Sequence, residues 1–197
     1  TFVNNTFVNN RLTAKSSSLS DKTNGGSAIY FKSGSGSLNL VNNTIVGNTD
    51  SCYTTSGVPS VNFNGSAVHV ISGKVRLVNN IIAGNFSSAA TAGEVYLGES
   101  ASLQNSTYNL YGGADRMNIT AKSTDMVCRN YDRCVQDLQK VLDSEIVDGK
   151  LSLLLSDNGG FAPTVKVKSV ACGNNNLNVL SVAALRESTF YIDINDN

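Results

Sequence analysis

Residues 40–48 read LVNNTIVGN and residues 77–85 read LVNNIIAGN. The first ten residues, TFVNNTFVNN, repeat the phrase with Phe2 in the place of Leu40 and Leu77. An Asn pair stands in the middle of each copy and a lone Asn closes it. A second phrase precedes the two later copies, GSAIYF at 26–31 and GSAVHV at 65–70, and a degenerate version, GEVYLGESASLQNSTYNL, spans 93–110. The repeat is a short strand, a Gly/Ser turn, a second strand, an Asn turn, a third short strand and a variable loop. Copies recur every roughly 26 to 39 residues, inside the range of stacked-repeat architectures.

Alternation supports strands. Ile29 and Phe31 fall on one face and Tyr30 on the other. The matching inward pairs are Val68 with Val70 and Val95 with Leu97. Leu38, Leu40, Val75 and Leu77 follow the same rule, and Ile45, Ile82 and Phe7 point inward after the Asn turn. Apolar residues at helical spacing are missing here, and Gly, Asn and Thr are poor helix formers.

The expected fold is all-β, a right-handed parallel β-helix (a solenoid) over residues 1–123, followed by a C-terminal capping extension over 124–197. Equivalent residues of such a fold stack about 4.8 Å apart. Asn tolerates the left-handed backbone of a sharp turn, and its amide both donates and accepts. The Asn5, Asn43 and Asn80 column and the Asn42 and Asn79 column are therefore expected to form ladders that bond repeat to repeat. A charge there would sit above its like at about 0.9 kcal/mol per pair even in water. Only 15% of residues are charged, against the usual quarter or so, which fits the same constraint.

The stretch GGSAIYFKSGSGSLNLVNNTIVGNT (25–49) resembles the right-handed parallel β-helix repeat of bacterial surface proteins, a pectate-lyase-like fold. LSDNGGFAPTVKVKSVACG (155–173) is similar to the Asp-Asn-Gly-Gly-x-x-x-Thr stretch that closes the choice-of-anchor Q group of such proteins. That group continues to an Asp-x-Arg-Gly segment and a Gly-Ala-x-Glu, which this sequence does not contain; YIDINDN (191–197) stands where the approach to them is expected. The resemblance implies a bacterial protein that is secreted or held at the cell surface.

From residue 124 charge rises and the Asn phrases stop. CVQDLQKVLDSEIV (134–147) places Val135, Leu138, Val141, Leu142 and Ile146 near a 3, 4, 7 spacing, which predicts a short amphipathic helix. It belongs to the cap that a stacked-repeat end requires, with further strands at APTVKVKSV (162–170) and STFYIDI (188–194). DNGG (157–160) and SGSGS (33–37) read as turn chemistry.

Composition narrows the partners. Net charge is zero and no basic tract or RNP-like motif is present, so nucleic acid is not an expected partner. No apolar run reaches the roughly 18 residues of a membrane-spanning helix. The chain opens inside its own repeat, as expected of a piece of a longer polypeptide. Cys52, Cys128, Cys134 and Cys172 permit disulfides in an oxidising compartment, and Cys128 and Cys134 are close enough to bridge a small loop. Four free thiols, mostly buried, satisfy the composition equally. There is no C-x-x-C, and the one histidine, His69, is far from any Cys pair, so neither metal nor cofactor is expected.

Tyr30, His69 and Tyr96 occupy equivalent positions and are expected as an outward strip of rings that packs a sugar, with Lys32, Ser66 and Glu94 setting its orientation; the same rings could simply stack on one another. Enzymes on this fold need clustered carboxylates. Up to residue 110 the acids are Asp21, Asp50, Glu94 and Glu99, the first two placed in variable loops. Asn-x-Ser/Thr sequons occur at Asn4, Asn42, Asn64, Asn85, Asn105 and Asn118. The leading expectation is a secreted or cell-surface, non-catalytic protein, adhesin-like or glycan-contacting. Its alternatives are a polysaccharide lyase or glycoside hydrolase, with catalytic residues in loops or in a missing N-terminal portion, and a pure spacer.

Overall fold

The computed structural model describes residues 1–16, 25–57, 66–88, 93–113, 117–127, 139, 143–147, 150–156 and 164–165. The strands recur as rungs. The first rung holds β1 (Phe2–Val3), β2 (Thr6–Val8) and β3 (Arg11–Ser16). The second holds β4 (Ile29–Val41), β5 (Thr44–Val46) and β6 (Thr49–Thr54), and the third β7 (Val68–Val78), β8 (Ile81–Ala83) and β9 (Phe86–Ser87). A fourth contributes β10 (Val95–Thr107) and β11 (Leu110–Tyr111), and β12 (Met126–Val127) follows. Equivalent strands pair in parallel to make three sheets, β1-β4-β7-β10, β2-β5-β8-β11-β12 and β3-β6-β9.

Register stacks like on like. Phe7, Ile45, Ile82 and Tyr111 form one column, and Phe2, Leu40, Leu77 and Ser106 another. Leu40, Ile45, Leu77, Ile82, Val68 and Val95 have no solvent exposure, and Phe7, Phe31 and Leu97 pack against them. Burial of each large side chain contributes about 1.5–3 kcal/mol. In the fourth rung the Leu column yields to Ser106 while the Ile column widens to Tyr111. The Tyr111 hydroxyl then meets Ser106 Oγ at 2.9 Å, and burial holds the phenol well above its usual pKa. The two substitutions compensate in volume and in hydrogen bonding.

The Asn phrases encode two corners. At the first, Asn4, Asn42, Asn79 and Tyr108 take left-handed φ values of 57°, 57°, 53° and 58°. At the second, Asn9, Gly47 and Gly84 do so at 54°, 69° and 70°. The residue after each is a ladder Asn. The N–H groups of Asn5, Asn43 and Asn80 donate to Oδ1 of Asn43, Asn80 and Asn109, each at 2.9 Å. A second ladder, built from the Asn that closes each phrase, runs Asn10 to Asn48 to Asn85 at 3.1 and 3.0 Å. Beside the first ladder, Asn79 Nδ2 also donates to Asn42 Oδ1 at 3.1 Å.

Several expectations are corrected. The Gly/Ser turn is a register shift inside the long strands β4 and β10, facing Gly73 with its φ of 106°. Just beyond residue 123, β12 pairs in parallel with β11. Ile146 lies not in a helix but in an antiparallel hairpin of β13 (Ser144–Val147) and β14 (Lys150–Leu153). Here β-branched Ile146 and Val147 alternate with a partner strand, and cross-strand pairing replaces the helical spacing. Gln139 is helical, and the rest of the expected helix lies outside the described residues, as do Cys128, Cys134, Cys172, DNGG and STFYIDI. β15 (Leu155–Ser156) pairs with β16 (Thr164–Val165), a fragment of the strand expected at 162–170. The extension also reaches the first rung, where Asn9 Nδ2 donates to Ser152 Oγ at 3.2 Å.

Two predictions test the corners. Tyr108 bears a side chain in a conformation that costs an L-residue roughly 1–2 kcal/mol and that Asn tolerates. Tyr108→Asn should stabilise the chain by about 1 kcal/mol, read as a higher urea midpoint at unchanged m-value. Asn80→Ala strands several buried partners at about 1–3 kcal/mol each. It should cost at least about twice as much as Asn5→Ala at the exposed end of the same ladder.

Candidate functional site

Tyr30 and Tyr96 lie on either side of His69 in register. The rings of Tyr30 and His69 stack at 5.9 Å and 14°, those of His69 and Tyr96 at 4.9 Å and 33°. Tyr30 is 47% exposed, whereas His69 is 0% exposed. His69 is therefore not an outward ring. The backbone at Gly25 passes directly over the imidazole, where a Cβ would fall on Nδ1, and only glycine allows that approach. His69 lies between the two tyrosine rings, and of the three Tyr30 is the exposed one while Tyr96 is half-buried. Burial and the nearby Glu99 carboxylate raise the Tyr96 pKa.

Glu94 also leaves the predicted site. It is fully buried, and its carboxylate terminates the second ladder. Asn85 donates through N–H to Oε1 at 3.3 Å and through Nδ2 to Oε2 at 2.6 Å. Gly112 packs against Oε1 where a Cβ would collide. Of the five residues proposed for sugar contact, Tyr30, Lys32 and Tyr96 reach the surface, while His69 and Glu94 are interior.

The first ladder ends the same way. Asn109 donates through N–H and Nδ2 to Asp125 Oδ1 at 2.9 and 3.0 Å, while Oδ2 accepts from Ser106 Oγ at 2.7 Å and Lys122 N at 2.9 Å. Each ladder Asn turns its N–H and one Nδ2 hydrogen to the following rung, and Nδ2 also donates to a carbonyl of the preceding one, as Asn80 does to Leu40 O and Asn85 to Ile45 O. The last Asn thus needs a pure acceptor, which an ionised carboxylate is. That requirement was the available signal for Asp125 and Glu94: each is an acid following the final Asn of its series.

Asp50 sits on β6 rather than in a loop, in an inward column with Leu12 and Ser87. It is fully buried. Burial lifts its pKa from 3.8 to about 7, against the opposing pull of the Ser66 and Gly26 backbone groups. Ser66 N donates to Asp50 Oδ2 at 3.0 Å, Ser66 Oγ donates to the Val68 carbonyl at 2.9 Å, and the same Oγ lies 3.5 Å from His69 Nδ1. Ser, His and Asp serve nucleophilic catalysis when the base takes the hydroxyl proton and the acid orients the base. Here the carboxylate holds the serine's backbone and the hydroxyl proton is spent on a carbonyl, so the cluster fixes the segment that covers His69.

Comparison of the chain with protein-family models, with curated proteins and with solved structures finds no match in any of the three.

Asp50 binds its proton more tightly folded, at about 7, than unfolded, at 3.8. Its contribution is therefore full below pH 3.8 and is lost as pH rises toward 7. Asp50→Asn keeps the acceptor for Ser66 N and should flatten that decline. Above pH 7 the variant should exceed the parent by up to a few kcal/mol, each tenfold difference in proton affinity being worth about 1.4 kcal/mol. Urea titrations of both chains from pH 4 to 8 check the sign.

Proposed function

We propose that the three stacked sheets are the faces of a right-handed parallel β-helix. In this reading the chain works as a non-catalytic structural module of a secreted or cell-surface protein. The observation that supports this is the pair of continuous Asn ladders. They commit the amides of successive rungs, the buried carboxylate of Glu94 and the half-buried carboxylate of Asp125 to holding one rung on the next. Polar groups spent in this way give a stiff element suited to spacing or display. The resemblance to choice-of-anchor Q surface proteins favours the same placement.

A second reading is favoured by one feature, the Tyr30 ring, which is 47% exposed, braced by His69 and followed two residues later by the exposed Lys32. An exposed aromatic ring bearing a hydroxyl, with an ammonium two residues on, suits a carbohydrate. The expected result on a glycan array is retention that falls about tenfold in Tyr30→Ala, with the thermal midpoint held within a few degrees. Equal retention by the variant removes the carbohydrate reading and leaves the structural one. Release of unsaturated or reducing ends from uronate polymers would overturn both in favour of a lyase or hydrolase.

A further inference from the structure

The two ends of the rung stack are chemically unlike. At the C-terminal end the acceptors are already in place: Asp125 closes the first ladder and Glu94 the second. The Asn118 side chain imitates a strand against β10, accepting from Leu97 N and donating to Leu97 O, both at 2.7 Å. At the N-terminal end, Asn5 and Asn10 spend their N–H and Nδ2 groups on Asn43 and Asn48. Their Oδ1 atoms accept no hydrogen bond among the described residues. Both side chains are exposed, as are Phe2 at 38% and Val3 at 50%. The contact of Ser152 with Asn9 leaves them so.

We propose that the edge formed by β1, β2 and β3 is a docking surface for one further parallel rung that carries Asn at both corner positions. Its fit follows from continuity with the ladders already built. Each Asn column seats the preceding rung through Oδ1, which takes that rung's N–H and Nδ2 together, as Asn80 does for Asn43 at 2.9 and 3.1 Å. The edge offers acceptors at both corners and an apolar patch at Phe2 and Val3. A partner must bring two donors per corner and an apolar residue before the first. The C-terminal end of a second copy does not meet that demand, because its donors are bound to Asp125 and Glu94. Among the described residues, the C-terminal end of a second copy therefore offers no free corner donors to this edge.

The test places such a rung in cis by duplicating residues 2–39 ahead of Phe2, so that Asn39 of the added copy joins Phe2 of the original. Hydrogen exchange is then read at the original Phe2, Val3 and Thr6–Val8. Docking should slow these amides by about tenfold or more and raise the urea midpoint. The added copy carrying Asn5→Asp and Asn10→Asp, which turns acceptor against acceptor, should give neither effect. Unchanged exchange at those amides while β5 and β8 stay protected overturns the proposal, as does equal protection by the Asp version. If the duplicated chain fails to fold, the peptide of residues 2–16 is added to the parent chain at millimolar concentration. Protection by it, and none by its Asp form, supports the proposal; no protection overturns it.

Discussion

The structure depends on one hydrogen bond repeated: a backbone N–H at a corner donating to the side-chain carbonyl of the Asn one rung on. Where the chain turns, that N–H is taken out of the sheet ladder, and a buried N–H must find a partner. Asn supplies it from the side chain and, with Nδ2, binds a carbonyl of the preceding rung, one of its own rung and the next amide. Asn43 does all of this at once, reaching Phe2 O, Val41 O and Asn80 Oδ1. The apolar columns of Leu, Ile and Val stack because the corners keep the rungs in register.

The same bond gives each ladder a direction. Donors point along the chain and acceptors point back, so the amide dipoles add. One carboxylate at the receiving end of each ladder completes it, whereas a charge within the column would meet its like above and below. This accounts for a chain poor in charge that still buries Glu94 completely. It also accounts for the coupled change at the fourth rung. There Ser106 and Tyr111 replace aliphatic residues and tie the apolar columns to Asp125, which closes the first ladder.

Much of this is legible in the chain. The Asn phrases, their alternation and the columns of Ile45 with Ile82 and Leu40 with Leu77 are local patterns repeated at nearly constant spacing. Asn42 and Asn43 also differ by role in a readable way: a residue able to adopt positive φ, then one able to bond outward. The second ladder follows the same grammar in Gly47–Asn48 and Gly84–Asn85, less visibly because Gly, not a second Asn, stands first in each pair. The helix expected up to Ile146 illustrates the opposite case. A 3, 4, 7 spacing over a few residues is weak support for a helix, and pairing with Lys150–Leu153 decided the outcome at Ser144–Val147.

By itself, the sequence determined the repeat, the strand faces and the corners, because each depends on residues within a few positions of one another and on the period between copies. Tertiary structure alone decided which polar residues are inside. Alternation set His69 beside Tyr30 and Tyr96, but its burial comes from the backbone at Gly25. Glu94 became a ladder end when Asn85 aimed two donors at it and Gly112 closed over it. Asp50 became a buried acid because Ser66, brought from the next rung, covers it. Burial is a property of what arrives from elsewhere in the chain, and no local pattern carries that information.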